Sequence, residues 1–470
     1  MIGLTLFLLG LLAAKFFTPY IIFLIFICLV VCKIFLKKAN HRTLIALALT
    51  CVFIFGIYRG YLYKNKLAEF NDFIGKQIVA EVLSKGDAVY SDRKQLVFSA
   101  HKIIIYQPYY SELIGNIEVE GIGEPMVYRG DKLIVKGKLF KKRGDNLAGI
   151  SFANIEIVKS NPTFIDKIRR LFASGLQNVL PEPMASLGLG ILIGQRNTLP
   201  EDLIKQLTQT GLVHIVAVSG YNLTIIIYAA LRLFQKKSRY QAMIVSYILV
   251  ILFLMITGFS PSIVRAAVVC ILSLLFWYYG RNVKPMMILL ISASVTAGMN
   301  PLFIWTSVSW YLSFTAFFGI LILGPLIHDR FVPSKLKSNF FIKVLTETTA
   351  AQICTLPVLL YVFSSLSVVS VLANLLVVPI IPFVMVATLI AGIVGILNPV
   401  FIGGLIAIPA RIMLRYIVEV ANILSNLSFA SKQLKINLTQ AIVLGGFIVI
   451  FTLLLRGSLK RKLFIDRIET

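Results

Sequence analysis

The chain has 470 residues, of which 58% are hydrophobic and only 14% are charged. A soluble domain has about a quarter of its residues charged, so this composition excludes an ordinary soluble protein and indicates a polytopic membrane protein. The formal net charge is +25, but residues 61–165 contain 15 Lys and Arg against 12 Asp and Glu, which leaves only +3 there. Most of the positive charge therefore lies in loops between apolar segments, where cytoplasmic retention of Lys and Arg explains it without a nucleic acid.

Three apolar segments, roughly 3–14, 19–35 and 44–58, predict N-terminal transmembrane helices within residues 1–60. The first is short for a span of about 20 residues, so we expect it to be only partly inserted. A basic turn with Lys37, Lys38, His41 and Arg42 separates the second segment from the third. This turn is predicted to be cytoplasmic, which places the following residues outside the membrane.

Residues 61–163 have a different pattern from the continuous apolar segments before them. Here apolar and polar residues alternate in five short runs separated by glycine and charged turns. The runs are 77–83, 95–105, 114–119, 132–140 and 150–158. Five strands at this spacing predict a small all-β extracytoplasmic domain, with an OB-like barrel as the leading candidate.

A basic cluster in this domain follows one predicted strand and the turn after it, and consists of Lys136, Lys138, Lys141, Lys142 and Arg143. Together with tyrosines at 106, 109 and 110, it is typical of a DNA-binding groove in which rings stack on bases. The alternative is a solvated strand edge, where lysines prevent pairing with other chains. The sequence leaves both open.

The remaining chain is predicted to contain an amphipathic surface helix (164–183), a transmembrane core (184–456) and a basic cytoplasmic tail (457–470). The glycine-rich run 184–194 is too short to cross a bilayer. Nine longer apolar segments follow, and basic loops alternate with loops of low charge, which predicts nine crossings with the C-terminus in the cytoplasm. The segments are 212–234, 242–256, 263–279, 286–297, 303–327, 344–363, 374–397, 401–424 and 441–455.

Polar residues open the first of these segments: His214, Ser219, Tyr221 and Asn222, with Gly220 among them. Such residues at membrane depth either line a site or join helices by hydrogen bonds, while glycine allows a close approach of another helix. Ser219 next to Gly220 also suggests an intramembrane serine hydrolase. That chemistry needs a histidine on another helix, and His214, five residues earlier, is not placed for it.

Two further groups are candidates for the same site. Ser262 and Arg265 lie at the start of a span, where Arg265 either extends to the interface or binds phosphate through its planar guanidinium. Gln352 precedes Pro357, and Asn374 precedes Pro379 and Pro382, which suggests broken or kinked helices that line a cavity. Ordinary bonding between helices is the alternative for each. The predicted channel-lining set is His214, Ser219, Gly220, Tyr221, Asn222, Ser262, Arg265, Gln352 and Asn374.

The sequence contains no phosphate-loop pattern, no metal-ligand spacing and no pair of carboxylates suited to acid–base work. The five cysteines all lie in apolar runs without disulfide spacing. We therefore expect no catalytic residue, no metal and no cofactor.

The order of these parts resembles ComEC-type competence proteins over nearly the whole chain. The resemblance is carried by short motifs in a fixed order: Gly188-Leu189-Gly190, Gly194-Gln195-Arg196, Gly211-Leu212-Val213-His214, Ser219-Gly220, Pro261-Ser262, Arg265-Ala266, Asn300-Pro301 and Leu312-Ser313-Phe314. One departure is Tyr221-Asn222, where the family often has Leu-His. Another is that the chain ends after a basic tail, where many members continue into a metallo-β-lactamase-like domain.

The resemblance implies a multi-pass protein of a bacterial plasma membrane that passes single-stranded DNA into the cytoplasm during natural transformation. Its implied partners are single-stranded DNA, membrane lipid, a separate nuclease and a cytoplasmic ATP-driven motor or helicase. A transporter of another solute, or an intramembrane hydrolase, is the alternative function.

Overall fold

The computed structural model describes residues 1–16, 27, 41–90, 95–121, 126–142, 146–160, 162–196, 198–216, 220–234, 238–281, 283–397 and 402–468. Only the backbone is described at 41–44, 114, 261 and 459–468. The chain divides into two units. The first contains Met1–Lys167 and Leu290–Trp310, and the second contains Ile168–Leu289 and Tyr311–Thr470.

Two N-terminal helices of the first unit, α1 (Ile2–Ala13) and α2 (His41–Asn71), pack at very short range. A Cβ atom on Gly10 would lie only 2.3 Å from the carbonyl oxygen of Phe53, so this position has room for glycine alone. The second predicted apolar segment, 19–35, lies outside the described residues apart from Ile27. Helix α2 continues well past the predicted end at 58, because the charged residues that follow are compatible with a helix.

Residues 77–160 contain six strands, and side chains along the longer ones alternate between buried and more exposed positions. The strands are β1 (Gln77–Ser84), β2 (Val89–Tyr90), β3 (Leu96–Gln107), β4 (Ser111–Gly121), β5 (Asp131–Lys141) and β6 (Ala148–Ser160). Their order in the sheet is β1-β5-β6-β4-β3-β2, and β1 also pairs with β3, so five strands close into a ring. All pairs are antiparallel except β4 with β6.

The interior of this barrel is apolar and fully buried, with Ile78, Ile105, Ile117, Leu133 and Ile150 contributed by five different strands. The five predicted strands are confirmed, each with ends within three residues of the prediction. The two-residue strand β2 was not predicted, because its length is too short to produce an alternating pattern.

Three helices lie between residues 285 and 318: α10 is Pro285–Met299, α11 is Leu302–Thr306 and α12 is Val308–Phe318. The segment predicted as one span, 303–327, is therefore interrupted at Ser307. Within the first unit, Trp305 donates from Nε1 to the carbonyl oxygen of Leu11 at 2.7 Å. This bond fixes α11 to the N-terminal helix.

The second unit is helical and begins within α3 (Phe164–Val179), at Ile168. Its other helices include α4 (Met184–Ile193), α5 (Glu201–Gln209), α6 (Val213–Val216), α7 (Gly220–Phe234), α8 (Arg239–Thr257), α9 (Pro261–Tyr278), α13 (Gly324–Phe331), α14 (Phe340–Val362), α15 (Ser370–Val377), α16 (Ile381–Leu397), α17 (Ile402–Ile406), α18 (Ile408–Ser425) and α19 (Leu438–Ile468). A π-helical turn, Gly319–Leu323, connects α12 to α13. Two short strands, β7 (Ser365–Ser367) and β8 (Ser431–Gln433), pair with each other.

Five helical segments within the described residues are long and apolar enough to cross a bilayer: Ile45–Asn71, Arg239–Thr257, Val308–Phe331, Ser370–Leu397 and Leu438–Ser458. Shorter apolar helices accompany them, including the predicted half helix α4, whose side chains are nearly all buried. A helical bundle of this composition with an inserted β domain is the predicted fold class, a polytopic membrane protein.

The helices near Gln352 and Asn374 respond differently to the prolines that follow these residues. A break or a kink was predicted at Pro357, and helix α14 is not broken there, because it runs through this proline and ends only at Val362. A proline removes one backbone hydrogen bond, and packing inside a bundle tolerates that loss. The real interruption is β7, between α14 and α15. Near Pro379 the helix tightens into a 3₁₀ turn, Val378–Ile380.

Helix α3, within the predicted surface segment 164–183, has a reciprocal cap at its start. The backbone N–H of Asp166 donates to the hydroxyl of Thr163, and the backbone N–H of Thr163 donates to the carboxylate of Asp166. Within the second unit, its later part packs closely on α16, since a Cβ on Gly175 would lie 2.8 Å from the carbonyl oxygen of Gly392. Phe164, Ile168 and Leu171 are exposed.

Candidate functional site

The predicted channel-lining residues all fall in the second unit. The structure describes eight of the nine, and Ser219 lies outside the described residues. The eight form two groups. One lies around Gly220 and Arg265, at the contact of α7 with α9. The other lies around His214, Gln352 and Asn374, where the turn after α5 meets β7 and α15.

The first group is centred on a close helix contact at Gly220. A Cβ atom at this position would lie 2.9 Å from the Cβ of Ala266 and 3.5 Å from Nη2 of Arg265. Since real Cβ contacts are essentially never under 3.0 Å, only glycine lets α7 approach α9 this closely. The sequence-based expectation that Gly220 allows another backbone to approach therefore agrees with the packing.

Arg265 is buried, with 8% of its surface exposed. Its guanidinium carbon lies 5.1 Å from the ring centre of Phe317 and 5.7 Å from that of Phe314. Both rings belong to α12, and such contacts stabilise a cation at the face of an aromatic ring. Arg265 is therefore packed against the aromatic side chains of a neighbouring helix.

Ser262 lies one turn before Arg265, and its Oγ is 3.2 Å from the Oγ of Ser313. The hydroxyl pair connects α9 to α12 beside the arginine. The residue at the cap of α9 is Ser260, and its side chain makes no capping hydrogen bond. Ser262 is thus inside the helix and bonds across to a neighbouring helix.

Asn222 and Tyr221 have opposite environments although they are adjacent. Asn222 is 1% exposed and donates from Nδ2 to the carbonyl oxygen of Ile191 at 2.8 Å. This bond joins α7 to the half helix α4. Tyr221 is 42% exposed. Of the two residues that depart from the family pattern, one therefore has a structural hydrogen bond and the other faces outward from the unit.

The second group begins at His214, whose Nδ1 donates to the carbonyl oxygen of Gly211 at 2.9 Å. Gly211 has a φ of +74° and follows the end of α5, as is usual for glycine after a helix. A Cβ on Gly211 would lie 2.6 Å from the Cβ of Ser370 and 3.5 Å from the Oγ of Ser367. The turn carrying His214 therefore lies directly against two serines.

Gln352 and Asn374 complete this group. Gln352 donates from Nε2 to the carbonyl oxygen of Ser367 at 3.1 Å, and Asn374 lies one helical turn after Ser370. Ser367 and Ser370 were not predicted. Their signal was the serine-rich stretch from Ser364 to Ser370 between two apolar segments, which marks the interruption of the helix more accurately than Pro357 does.

The predicted DNA-binding lysines of the barrel differ in their surroundings. Lys136, Lys138 and Lys141 are exposed on β5. Lys142 instead forms ion pairs with both Glu118 and Glu120, so its charge is neutralised within the barrel. Arg143 lies outside the described residues.

Aromatic residues lie on the same outer face of the barrel. Strand β1 has β3 on one side and β5 on the other, so residues of those strands flank it. Tyr106 donates from Oη to Glu81 at 3.1 Å, and Lys132 pairs with Glu81 at 2.8 Å. The hydrogen bond to Glu81 raises the pKa of the Tyr106 hydroxyl. Tyr106 and Tyr110 are 45% and 64% exposed, with ring centres 6.4 Å apart.

No group of three or more His, Cys, Asp or Glu side chains that could hold a metal ion exists among the residues whose structure is described. The surroundings of His214 and Arg265 contain backbone carbonyls, hydroxyls, amides and aromatic rings. Such neutral groups are suited to contacting a substrate weakly.

A helical bundle with polar groups at membrane depth and a β-barrel inserted near its N-terminus defines a polytopic membrane protein. A family model described as "Competence protein" matches residues 191–459, more than half of the chain. The chain therefore belongs to the competence protein family, which confirms the resemblance found in its motifs.

Among curated proteins, ComE operon protein 3 of Bacillus subtilis (strain 168) is 25% identical to this chain over 230 residues. The aligned region is 48% of this chain and 28% of that protein, so the chain matches less than a third of the relative's length. No solved structure is significantly similar to the chain.

Proposed function

We propose that this protein takes part in DNA uptake and passes single-stranded DNA across the membrane through its helical unit. The observation that carries the proposal is the buried Arg265, held between α12 rings and against Gly220 inside the region that matches the competence family. A permanently charged guanidinium at membrane depth is costly to maintain, and such residues usually belong to a substrate pathway.

A single strand that crosses a bilayer loses hydration from its phosphates, and a cation on its path offsets part of that loss. Guanidinium suits this role because its planar donors match phosphate oxygens. The strand must also leave, so the path cannot hold it tightly. One arginine with neutral polar groups near it, among them the hydroxyl of Ser262 one helical turn away, suits weak successive contacts better than a dense basic lining would.

The β-barrel is proposed to receive the strand outside the membrane as an OB-type domain. In support, its five-stranded ring has one parallel pair, β4 with β6, as expected for a Greek-key barrel of this type. Exposed Tyr106 and Tyr110 offer ring faces for bases, and Lys136 and Lys138 offer charge for the backbone. Lys142 is left out of this surface because glutamates neutralise it.

The orientation follows from the charge of the loops, with the barrel outside a bacterial plasma membrane and the C-terminus in the cytoplasm. Transport of a polymer also needs a driving force and, for uptake of duplex DNA, removal of one strand. We propose that a separate cytoplasmic ATP-driven motor or helicase and a separate nuclease supply these activities.

The proposal is tested in a naturally competent bacterium whose own competence channel gene is deleted. Expression of this chain should restore entry of fluorescently labelled DNA into a compartment protected from added nuclease. Matched expression of a chain lacking residues 61–163 should bind and internalise far less. If the full chain reaches the membrane together with the host's other uptake proteins and no DNA becomes protected, the proposed function is contradicted.

A further inference from the structure

Four side-chain oxygens of the second group are shielded from solvent yet have no hydrogen-bond partner within the part of the chain that the structure describes. They are Oε1 of Gln352, Oγ of Ser367, Oγ of Ser370 and Oδ1 of Asn374. Buried polar atoms in proteins are nearly always bonded, and one left unbonded costs about 1–3 kcal/mol. Four such oxygens on adjoining elements make this the strongest candidate for a ligand site among the described residues.

The four oxygens come from three consecutive elements that meet at the interruption between α14 and α15. Gln352 is tied to β7 through its bond to the carbonyl oxygen of Ser367. That bond also fixes the orientation of the amide, because only its nitrogen can donate to a carbonyl. Ser370 and Asn374 are 6% and 9% exposed and share one face of α15.

The chemistry of these atoms restricts the ligand. The amide oxygens of Gln352 and Asn374 only accept hydrogen bonds, so a phosphate group, which also accepts, cannot satisfy them. The burial of Ser370 and Asn374 favours a single small species over a nucleobase. No carboxylate belongs to the set, which disfavours a divalent ion, since Ca²⁺ and Mg²⁺ sites rely on carboxylates. In membrane transporters, Na⁺ binds where a helix is interrupted, and uncharged oxygens, chiefly backbone carbonyls, coordinate it there.

We propose that Gln352, Ser367, Ser370 and Asn374 bind a monovalent metal cation through these four oxygens, with Na⁺ as the preferred ion. The site lies against the Gly211 turn that carries His214. Its role rests on the proposed function: an exchangeable cation beside the path offsets phosphate charge without a fixed charge that would retain the strand. Binding of the ion itself requires no DNA.

The test is equilibrium binding of ²²Na⁺ to the purified full chain in detergent, without DNA and at constant ionic strength set with choline chloride. The expected result is saturable binding of one ion per chain, with competition by NaCl stronger than by KCl. Ser370→Ala should weaken binding about tenfold or more, as loss of a metal-site group does. Stronger competition by KCl would overturn the preference for Na⁺, and absence of saturable binding would overturn the site.

Two further variants separate ligation from folding. Ser246→Ala removes a buried hydroxyl that already bonds to the carbonyl oxygen of Ala242 at 2.7 Å, and it should leave ²²Na⁺ binding unchanged. Asn374→Asp keeps the shape and adds a negative charge, so it should tighten binding at neutral pH. Equal loss of binding in Ser246→Ala and Ser370→Ala, or weaker binding in Asn374→Asp, would mean that the four oxygens are not ligands. Because the ion-binding measurement contains no DNA, its failure would leave DNA uptake to be decided independently by the uptake assay.

Discussion

Asn222 and Ile191 are joined by a hydrogen bond of 2.8 Å, in which the side-chain amide of the first donates to the backbone carbonyl of the second. Helix α4 ends at Ile193, so the carbonyl oxygen of Ile191 is one of the last four in the helix and has no partner along the helix axis. The asparagine therefore completes the end of a half helix that is too short to cross the bilayer.

Replacement of Asn222 by alanine should lower the free energy of unfolding by about 1–3 kcal/mol, because it leaves a buried carbonyl without a donor. The measurement is the thermal unfolding midpoint of the purified protein in detergent. Asn178→Ala, at an exposed position of α3, is the matched control and should shift the midpoint little. Equal midpoints for the two variants would show that the Asn222 bond contributes nothing to stability.

Substitution of Arg265 should affect transport more than folding. Arg265→Lys retains the charge but loses the planar group that faces Phe314 and Phe317, so we expect DNA uptake to fall at least about tenfold. Arg265→Gln should abolish it. Uptake of labelled DNA is compared at equal amounts of protein in the membrane.

The control for this series is Arg415→Lys, since Arg415 is exposed and pairs with Glu419 along one helix at 3.8 Å. Such pairs contribute only about 0.3–0.5 kcal/mol, so uptake should remain near that of the unaltered protein. Normal uptake by the Arg265→Gln variant would place the path elsewhere.

Charge on the barrel face should be visible in the salt dependence of binding to single-stranded DNA. The double variant Lys136→Gln, Lys138→Gln should bind more weakly. The slope of log affinity against log salt should fall by roughly 1.4, about 0.7 for each cation removed. Lys142→Gln is the comparison, because its charge is neutralised by Glu118 and Glu120. A slope that changes as much for one Lys142 substitution as for the pair would contradict the assigned surface.

Protonation of His101 should lower the free energy of unfolding of the barrel at acidic pH. Burial, and then the nearby Lys85 and Lys102, lower the pKa of its imidazole below the usual 6.5, and its Nδ1 is buried without a partner among the described residues. The unfolded chain therefore takes up a proton first, and stability is lost as pH falls below about 6.5 toward the lower folded pKa.

The measurement for His101 is hydrogen exchange in β3 and β4 of the full chain at pH 7.5 and 5.5, compared with His101→Gln. After correction for the slower intrinsic exchange at low pH, acidification should lower the protection factors in the unaltered protein more than in the variant. An equal fall in both would mean that this histidine does not couple protonation to stability.

The β-strands could be predicted closely from the sequence because one face of each strand is buried, which imposes a period of two that is visible without any neighbour. Helix ends were less predictable. Helix α2 passes beyond its apolar part to Asn71, and α14 passes through Pro357, since packing outweighs local preference at both places. The strands' closure into a ring depends on pairing between distant residues, which no local pattern reveals.

The candidate site was predicted as a set of residues but not as an arrangement. The polarity of Gln352 and Asn374 inside apolar runs was sufficient to select them, whereas Ser367 and Ser370 resemble ordinary loop residues until they are seen against Gly211. Arg265 and Phe317 are separated by 52 positions, so their contact could not be inferred from spacing.

Passage of DNA beside α7 is tested most directly by photo-crosslinking during uptake in a competent host. A photoreactive residue is placed at Tyr221, which is 42% exposed next to Gly220 and Asn222, and for comparison at Phe447, which is 72% exposed on the apolar span Leu438–Ser458. We predict that illumination joins labelled incoming DNA to the Tyr221 derivative and not to the Phe447 derivative. Crosslinks at Phe447 alone, or at neither position while uptake proceeds, would contradict a path through the helical unit at this site.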